Sequence, residues 1–206
     1  MTFRIIAAGA LLAGAVAFVA ACERSPAAPT GQNAGMSASA QVTGAAAPAA
    51  PLSAAQGREN IMVNVHDACD ADTFNAAIGA GTCVRNGGVN FDEFVAQLTA
   101  HGSAGAWHFA PGVANASVGE TFLASNTGGE VHTFTEVAEF GGGIVPFLNQ
   151  LAGTPNVAPE CNALEPDDFI APGATYKETV DHKGTVKFQC CIHPWMRLEA
   201  RISSQN

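Results

Sequence analysis

Near the C-terminus, two stretches of alternating polarity flank one tight segment, Phe188-Gln189-Cys190-Cys191-Ile192-His193-Pro194-Trp195-Met196. In the first stretch Val186, Phe188 and Cys190 fall on one face and Thr185, Lys187 and Gln189 on the other; in the second, Leu198, Ala200 and Ile202 share a face. Side chains alternate across a β-strand, so both stretches are predicted strands and Cys190 points inward at the end of its own. The turn between them is stiffened by Pro194 and carries a thiol, an imidazole and a thioether in the pattern C-x-x-H-x-x-M. Upstream, Glu120 to Asn126, Val131 to Val137 and Ala174 to Val180 repeat the alternation with turn residues between them, which predicts an antiparallel β-sandwich. Gly 22 and Pro 11 beside 7% aromatic residues suit such a turn-rich fold and argue against coiled coils and long helical bundles.

Thiolate, imidazole and thioether are the soft and borderline ligands that select copper, and a second imidazole has to arrive from elsewhere in the chain. His132, in Glu130-Val131-His132-Thr133-Phe134, is the best candidate: it begins a predicted strand, shares a face with Phe134 and follows the Gly128-Gly129 turn. Alone, a strand-starting histidine is commonly structural and a methionine after Pro-Trp commonly packs. It is the joint pattern that points to a metal. His66, His101, His108 and His182 have no ligand-like company in sequence; His182 reads as a turn residue and His108 as part of a first strand. A competing cluster, His66, Asp67, Cys69, Asp70 and Asp72, lacks the glycine and distal glutamate of a calcium loop and the second Cys-His pair of a zinc site.

The ligand loop resembles that of the cupredoxins, with the spacing of amicyanin, shorter than in plastocyanin or pseudoazurin. The resemblance covers about residues 106 to 206. It implies an all-β, Greek-key β-sandwich holding one type 1 (blue) copper ion, with the Cys190 thiolate and the His132 and His193 imidazoles as equatorial ligands and Met196 as a weak axial sulfur. The family usually has an asparagine after its first histidine, tying the two ligand loops together; Thr133 stands there. From Cys190 the histidine is three residues on, whereas from Cys191 it is two on and the side chain leaves the core face, so spacing favours Cys190 as the ligand. Cys191 is then free to pair with Cys161 in the Pro159-Glu160-Cys161 loop.

The chain opens with Arg4 ahead of an uncharged run from Ile5 to Ala21, the pattern of an export leader spanning residues 1 to 21. Its end, Val19-Ala20-Ala21-Cys22, resembles the lipobox of bacterial lipoproteins, which implies cleavage before Cys22 and acylation of its thiol. From Glu23 to Gln56 the composition is almost entirely Ala, Pro, Ser, Gly, Thr, Gln and Asn, too poor in bulky apolar residues to offset chain ordering. Residues 22 to 56 are therefore expected to form a flexible tether, spanning roughly 30 Å root-mean-square by linker scaling. Residues 57 to 105 are expected to form a partly helical extension. Phe91, Phe94, Val95 and Leu98 recur at helical spacing behind an Asn90 N-cap, with Glu93 at the capping-box position and Gly102 as the stop. In an oxidising envelope Cys69 and Cys83 are a candidate bridge, worth about 3 kcal/mol on the chain-entropy model.

A net charge of -9 makes nucleic acid a poor partner, and loss of Arg4 with the leader makes the mature balance one unit more negative. The resemblance implies single-electron transfer rather than enzymatic turnover, since the chain has no H-x-H pairs like those of multicopper oxidases. Copper delivery is the competing class, and four Met in the chain are few for it. The expected localisation is the periplasmic side of a bacterial envelope, with a lipid anchor in the membrane. The expected partner is a redox protein with a basic face, such as a cytochrome or an oxidase subunit. It would dock on an exposed patch of His193, Pro194 and Trp195 near Glu130, Glu136 and Glu139.

Overall fold

The structure, a computed structural model, describes residues 60–204. The leader, Cys22 and the Ala/Pro-rich tether lie outside the described residues. In chain order the elements are β1 (Asn60–His66), α1 (Ala71–Ala77), α2 (Phe91–His101), β2 (His108–Ala110), β3 (Val113–Ser117), β4 (Thr121–Asn126), β5 (His132–Thr133) and β6 (Thr135–Val137). There follow α3 (Pro146–Leu151), two short 3-10 turns, β7 (Phe169–Ile170), β8 (Thr175–Thr179), β9 (Gly184–Gln189) and β10 (Arg197–Ser203). One sheet has the order β2-β1-β4-β8, the other β3-β10-β9-β6, and β5 pairs with β7 apart from both.

The alternation read from the sequence sets the two inner faces. Val186, Phe188 and Cys190, with Leu198, Ala200 and Ile202, are buried. Between the sheets Phe134 stacks on Phe188 with ring centroids 4.3 Å apart, and Phe122 meets Phe188 at 5.3 Å. Burying a ring of this size stabilises the fold by about 1.5–3 kcal/mol. On the opposite face of β9 the pattern changes along the strand: Thr185 is exposed, yet Gln189 is fully buried. The chain from Ala138 to Asn162 covers that end and brings Cys161 against Val137, Ala158 and Cys191.

Two expectations change. The sheets are mixed rather than antiparallel, because β1 runs parallel to β4 and β3 parallel to β10. Alternation fixes which face a residue takes but not the direction of its neighbour. Second, residues 57 to 105 contribute a strand to the sandwich: β1 lies between β2 and β4, with Val63 and Val65 fully buried. Met62 between Ile61 and Val63 places three apolar residues in a row and hides the period of two.

The helical, disulfide-held part of that segment then sits between β1 and β2. In α2 the Asn90 side chain accepts the Glu93 N–H at 2.9 Å and Gly102 closes the helix at φ 69, as the caps predict. The Glu93 carboxylate accepts from Gln97 at 3.3 Å instead of closing a capping box. Both candidate bridges, Cys69–Cys83 and Cys161–Cys191, are present, and Cys190 is a buried free thiol.

Candidate metal centre

The loop joining β9 to β10 is held at both ends by its backbone: the Cys190 N–H donates to the Met196 carbonyl at 3.0 Å, and the Met196 N–H to the His193 carbonyl at 2.9 Å. This fold-back puts the His193 ring beside the Cys190 sulfur, with Nδ1 at 3.8 Å. From the other side, the short pairing of β5 with β7 presents His132, whose Nδ1 lies 3.7 Å from Cys190 Sγ and 3.2 Å from His193 Nδ1. All three residues are buried, as is Met196. Bonds of about 2.0 Å to imidazole nitrogen and about 2.3 Å to thiolate, spread at trigonal angles, require donor separations of about 3.5 and 3.7 Å. The donor set therefore fits a first-row metal ion, and the His-His-Cys composition with a thioether on the same loop fits copper.

The surrounding hydrogen bonds orient these donors. Cys190 Sγ accepts the N–H groups of Thr133 and His193, both at 3.4 Å. Thr133 Oγ1 accepts the Cys191 N–H at 2.8 Å, so threonine ties the segment after His132 to the Cys190–Met196 loop. Burial opposes ionisation of the Cys190 thiol, but hydrogen bonds and charge from the two imidazoles prevail and hold its pKa well below the ordinary 9.0.

Asp67, which the sequence offered only as a member of the competing acidic cluster, lies immediately after β1 and takes a different part. Its side chain is 1% exposed. Its carboxylate accepts from His132 Nε2 at 2.9 Å and from the backbone N–H groups of Gly129 at 2.8 Å, Glu130 at 3.0 Å and Cys69 at 3.2 Å. With the Nε2 proton directed at a carboxylate, a neutral His132 ring offers the Nδ1 lone pair to a metal ion shared with Cys190, the usual arrangement of a metal-binding histidine. The Gly128-Gly129 pair permits this approach. A Cβ on Gly128 would overlap the Asp67 carboxylate, and one on Gly129 would meet Cys69 Sγ at 2.7 Å and Cys83 Sγ at 3.1 Å. The Cys69–Cys83 bridge thus packs directly behind the segment that leads into His132.

The other candidates go elsewhere. Asp70 caps α1 by accepting the Thr73 N–H at 2.9 Å, and Cys69 is bridged, so the competing acidic cluster is divided among structural tasks. His66 stacks on His108 with centroids 5.0 Å apart, and His182 contacts Asp181 at 2.8 Å. The expected docking patch also differs. His193 is 3% exposed, Pro194 is buried and Trp195 is half-buried, because α1, α2 and α3 bring Ile78, Phe91, Phe94 and Leu148 around that side. Glu130 is 6% exposed rather than part of an acidic rim. Its Oε2 accepts the Trp107 indole N–H at 2.6 Å and lies 3.6 Å from His193 Nε2. Glu136 and Glu139 are exposed, the latter paired with Lys187 at 2.6 Å.

No family model and no curated protein matches the chain. Among solved structures it is similar to a purple cupredoxin from Nitrosopumilus maritimus, at 14% identity and a TM-score of 0.39 over 69% of this chain and 99% of that one. A methionine-to-lysine variant of amicyanin gives 12% identity and a TM-score of 0.35 over 70% and 82%. Plastocyanin from Dryopteris crassirhizoma gives 18% and 0.31 over 47% and 89%. The choice of metal rests on the donor set itself.

Proposed function

We propose that the chain is a type 1 copper protein of the cupredoxin kind, with amicyanin-like ligand spacing, that carries single electrons between redox partners and is not an enzyme. The carrying observation is the buried meeting, at 3.2 to 3.8 Å, of His132 from β5 with Cys190 and His193 of the loop that also holds Met196. Copper bound there supplies a one-electron couple between its cuprous and cupric states. The protein's part is to hold the donors still: Asp67 fixes His132, Thr133 joins the two loops, and a backbone hydrogen bond ties Cys190 to Met196. Burial of all four side chains favours a retained ion over copper delivery. Replacing Met196 with Gln is expected to leave copper bound and change its potential, because the axial bond is long and weak. Voltammetry with copper analysis checks this, and loss of copper would assign the methionine a larger part.

The proposed partner has a positive face, as a cytochrome or oxidase subunit does, because a chain of net charge -9 steers toward opposite charge. Such steering is screened over a Debye length of about 8 Å at physiological salt. In stopped-flow mixing across a salt series, the second-order rate with a basic redox protein is expected to fall as salt rises. A rate flat with salt, or faster with an acidic protein, contradicts it. The leader and Cys22 support placement on the periplasmic side of the envelope through a lipid anchor. Cys22→Ala is expected to move the protein from the detergent phase to the aqueous phase with its copper retained; continued membrane fractionation contradicts acylation.

A further inference from the structure

On the solvent side of His193 lies a cavity of about 290 Å³, enclosed by Phe91 and Phe94 of α2 and Phe147 and Leu148 of α3, with Glu130 and His193 in its lining. We propose that this cavity binds a small neutral aromatic molecule carrying one hydroxyl donor, a compound of the phenol class. Its size is at the lower end for ligand sites, room for one substituted ring. A cavity of about 150 Å³ already accepts benzene. Three phenylalanines in the wall favour an aromatic occupant, since rings pack edge-on or offset with a gain beyond their area. At the surface Ile78 is 57% and Phe147 is 53% exposed, and both belong to the cavity lining. An occupant would cover them.

The polar requirement comes from Glu130. A carboxylate has two oxygens and about four acceptor sites. Among the described residues the Glu130 side chain receives one hydrogen bond, the Trp107 indole N–H on Oε2, although it is 6% exposed. The other oxygen has no donor among the described residues but is not sealed from solvent, so an occupant that displaces water from it must supply one: a hydroxyl does, and a bare hydrocarbon leaves it unmet. The occupant's place beside His193 bears on electron transfer only through the copper reading above, whereas binding itself depends on the fold alone.

The test uses the full-length protein in its diamagnetic cuprous or metal-free form, with p-cresol and toluene as probes. Titration followed by the Trp107 indole N–H resonance is expected to show saturable shifts with p-cresol, and affinity for toluene at least tenfold weaker. Glu130→Gln is expected to weaken p-cresol about tenfold while leaving toluene unchanged. Ile78→Trp, at an exposed position, is expected to plug the mouth and abolish both. Absence of saturable shifts, equal affinity for the two probes, or binding unaffected by Ile78→Trp would overturn the proposal. So would occlusion of the mouth by a protein partner with which p-cresol does not compete. A visible spectrum of the same preparation after copper loading separates the two claims: an intense band without p-cresol binding sinks the cavity proposal alone, and binding without the band sinks the copper reading alone.

Discussion

Cys190→Ser is expected to abolish the intense thiolate-to-copper charge-transfer absorption, while Cys191→Ser retains it. The asymmetry follows from position. Cys190 Sγ stands 3.7 and 3.8 Å from the two imidazole nitrogens, whereas Cys191 is bonded to Cys161 on the far side of β9. Removing the thiolate deletes the softest of the donors and the orbital partner of the absorption. Removing Cys191 opens a disulfide and lowers stability by about 2–5 kcal/mol without touching the donor set. Visible absorption of copper-loaded variants, with thermal unfolding in parallel, distinguishes the two effects. Colour that survives Cys190→Ser and is lost in Cys191→Ser would reverse the assignment.

The second large effect belongs to Asp67. Asp67→Ala leaves the His132 ring and three backbone N–H groups without their buried acceptor, and loss of one partner of a buried pair costs about 3–5 kcal/mol. Asp67→Asn keeps the shape and removes the charge, so the more positive cupric state loses support. The potential is expected to rise by roughly 60 mV, the one-electron equivalent of about 1.4 kcal/mol. In the metal-free protein the pair also has a pH signature. Burial works against the Asp67 anion, yet the bonds from His132 and from the Glu130 and Gly129 backbone hold its pKa well below the ordinary 3.8. The stabilisation it gives is complete above that ordinary value and lost as pH falls further. Burial likewise disfavours the His132 cation, but Asp67 and Cys190 push its pKa up to about 9 from 6.5. That contribution is complete below pH 6.5 and lost as pH rises through about 9. The stability gap between the metal-free parent and Asp67→Asn is therefore expected to be widest from about pH 4 to 6.5 and to narrow on both sides. A gap independent of pH, with an unchanged potential, would reduce Asp67 to a packing residue.

The geometry of the loop after β9 was legible because its information is local. Alternation across β9 aims Cys190 inward, and the loop's length then places His193 and Met196. His132 was legible through the strand it begins and the glycines before it. Asp67 was not, since it meets His132 across 65 positions and only after β1 has paired in parallel with β4. The Ile61, Val63 and Val65 alternation was the available signal for that strand, blurred by Met62. Gly128 and Gly129 read correctly as a place of special backbone, but what presses against them comes from outside the local sequence. The burial of His193 was illegible for a related reason: helices α2 and α3 announce their own apolar faces, not the imidazole they cover.

The most direct measurement is the absorption and electron paramagnetic resonance of the full-length protein loaded with one equivalent of cupric ion. The expected result is one tightly held copper with an intense visible charge-transfer band and the narrow parallel hyperfine splitting of a thiolate-bound cupric ion, both bleached by one electron. A colourless complex whose copper is readily removed by a chelator would contradict the assignment of His132, Cys190, His193 and Met196 as a type 1 site.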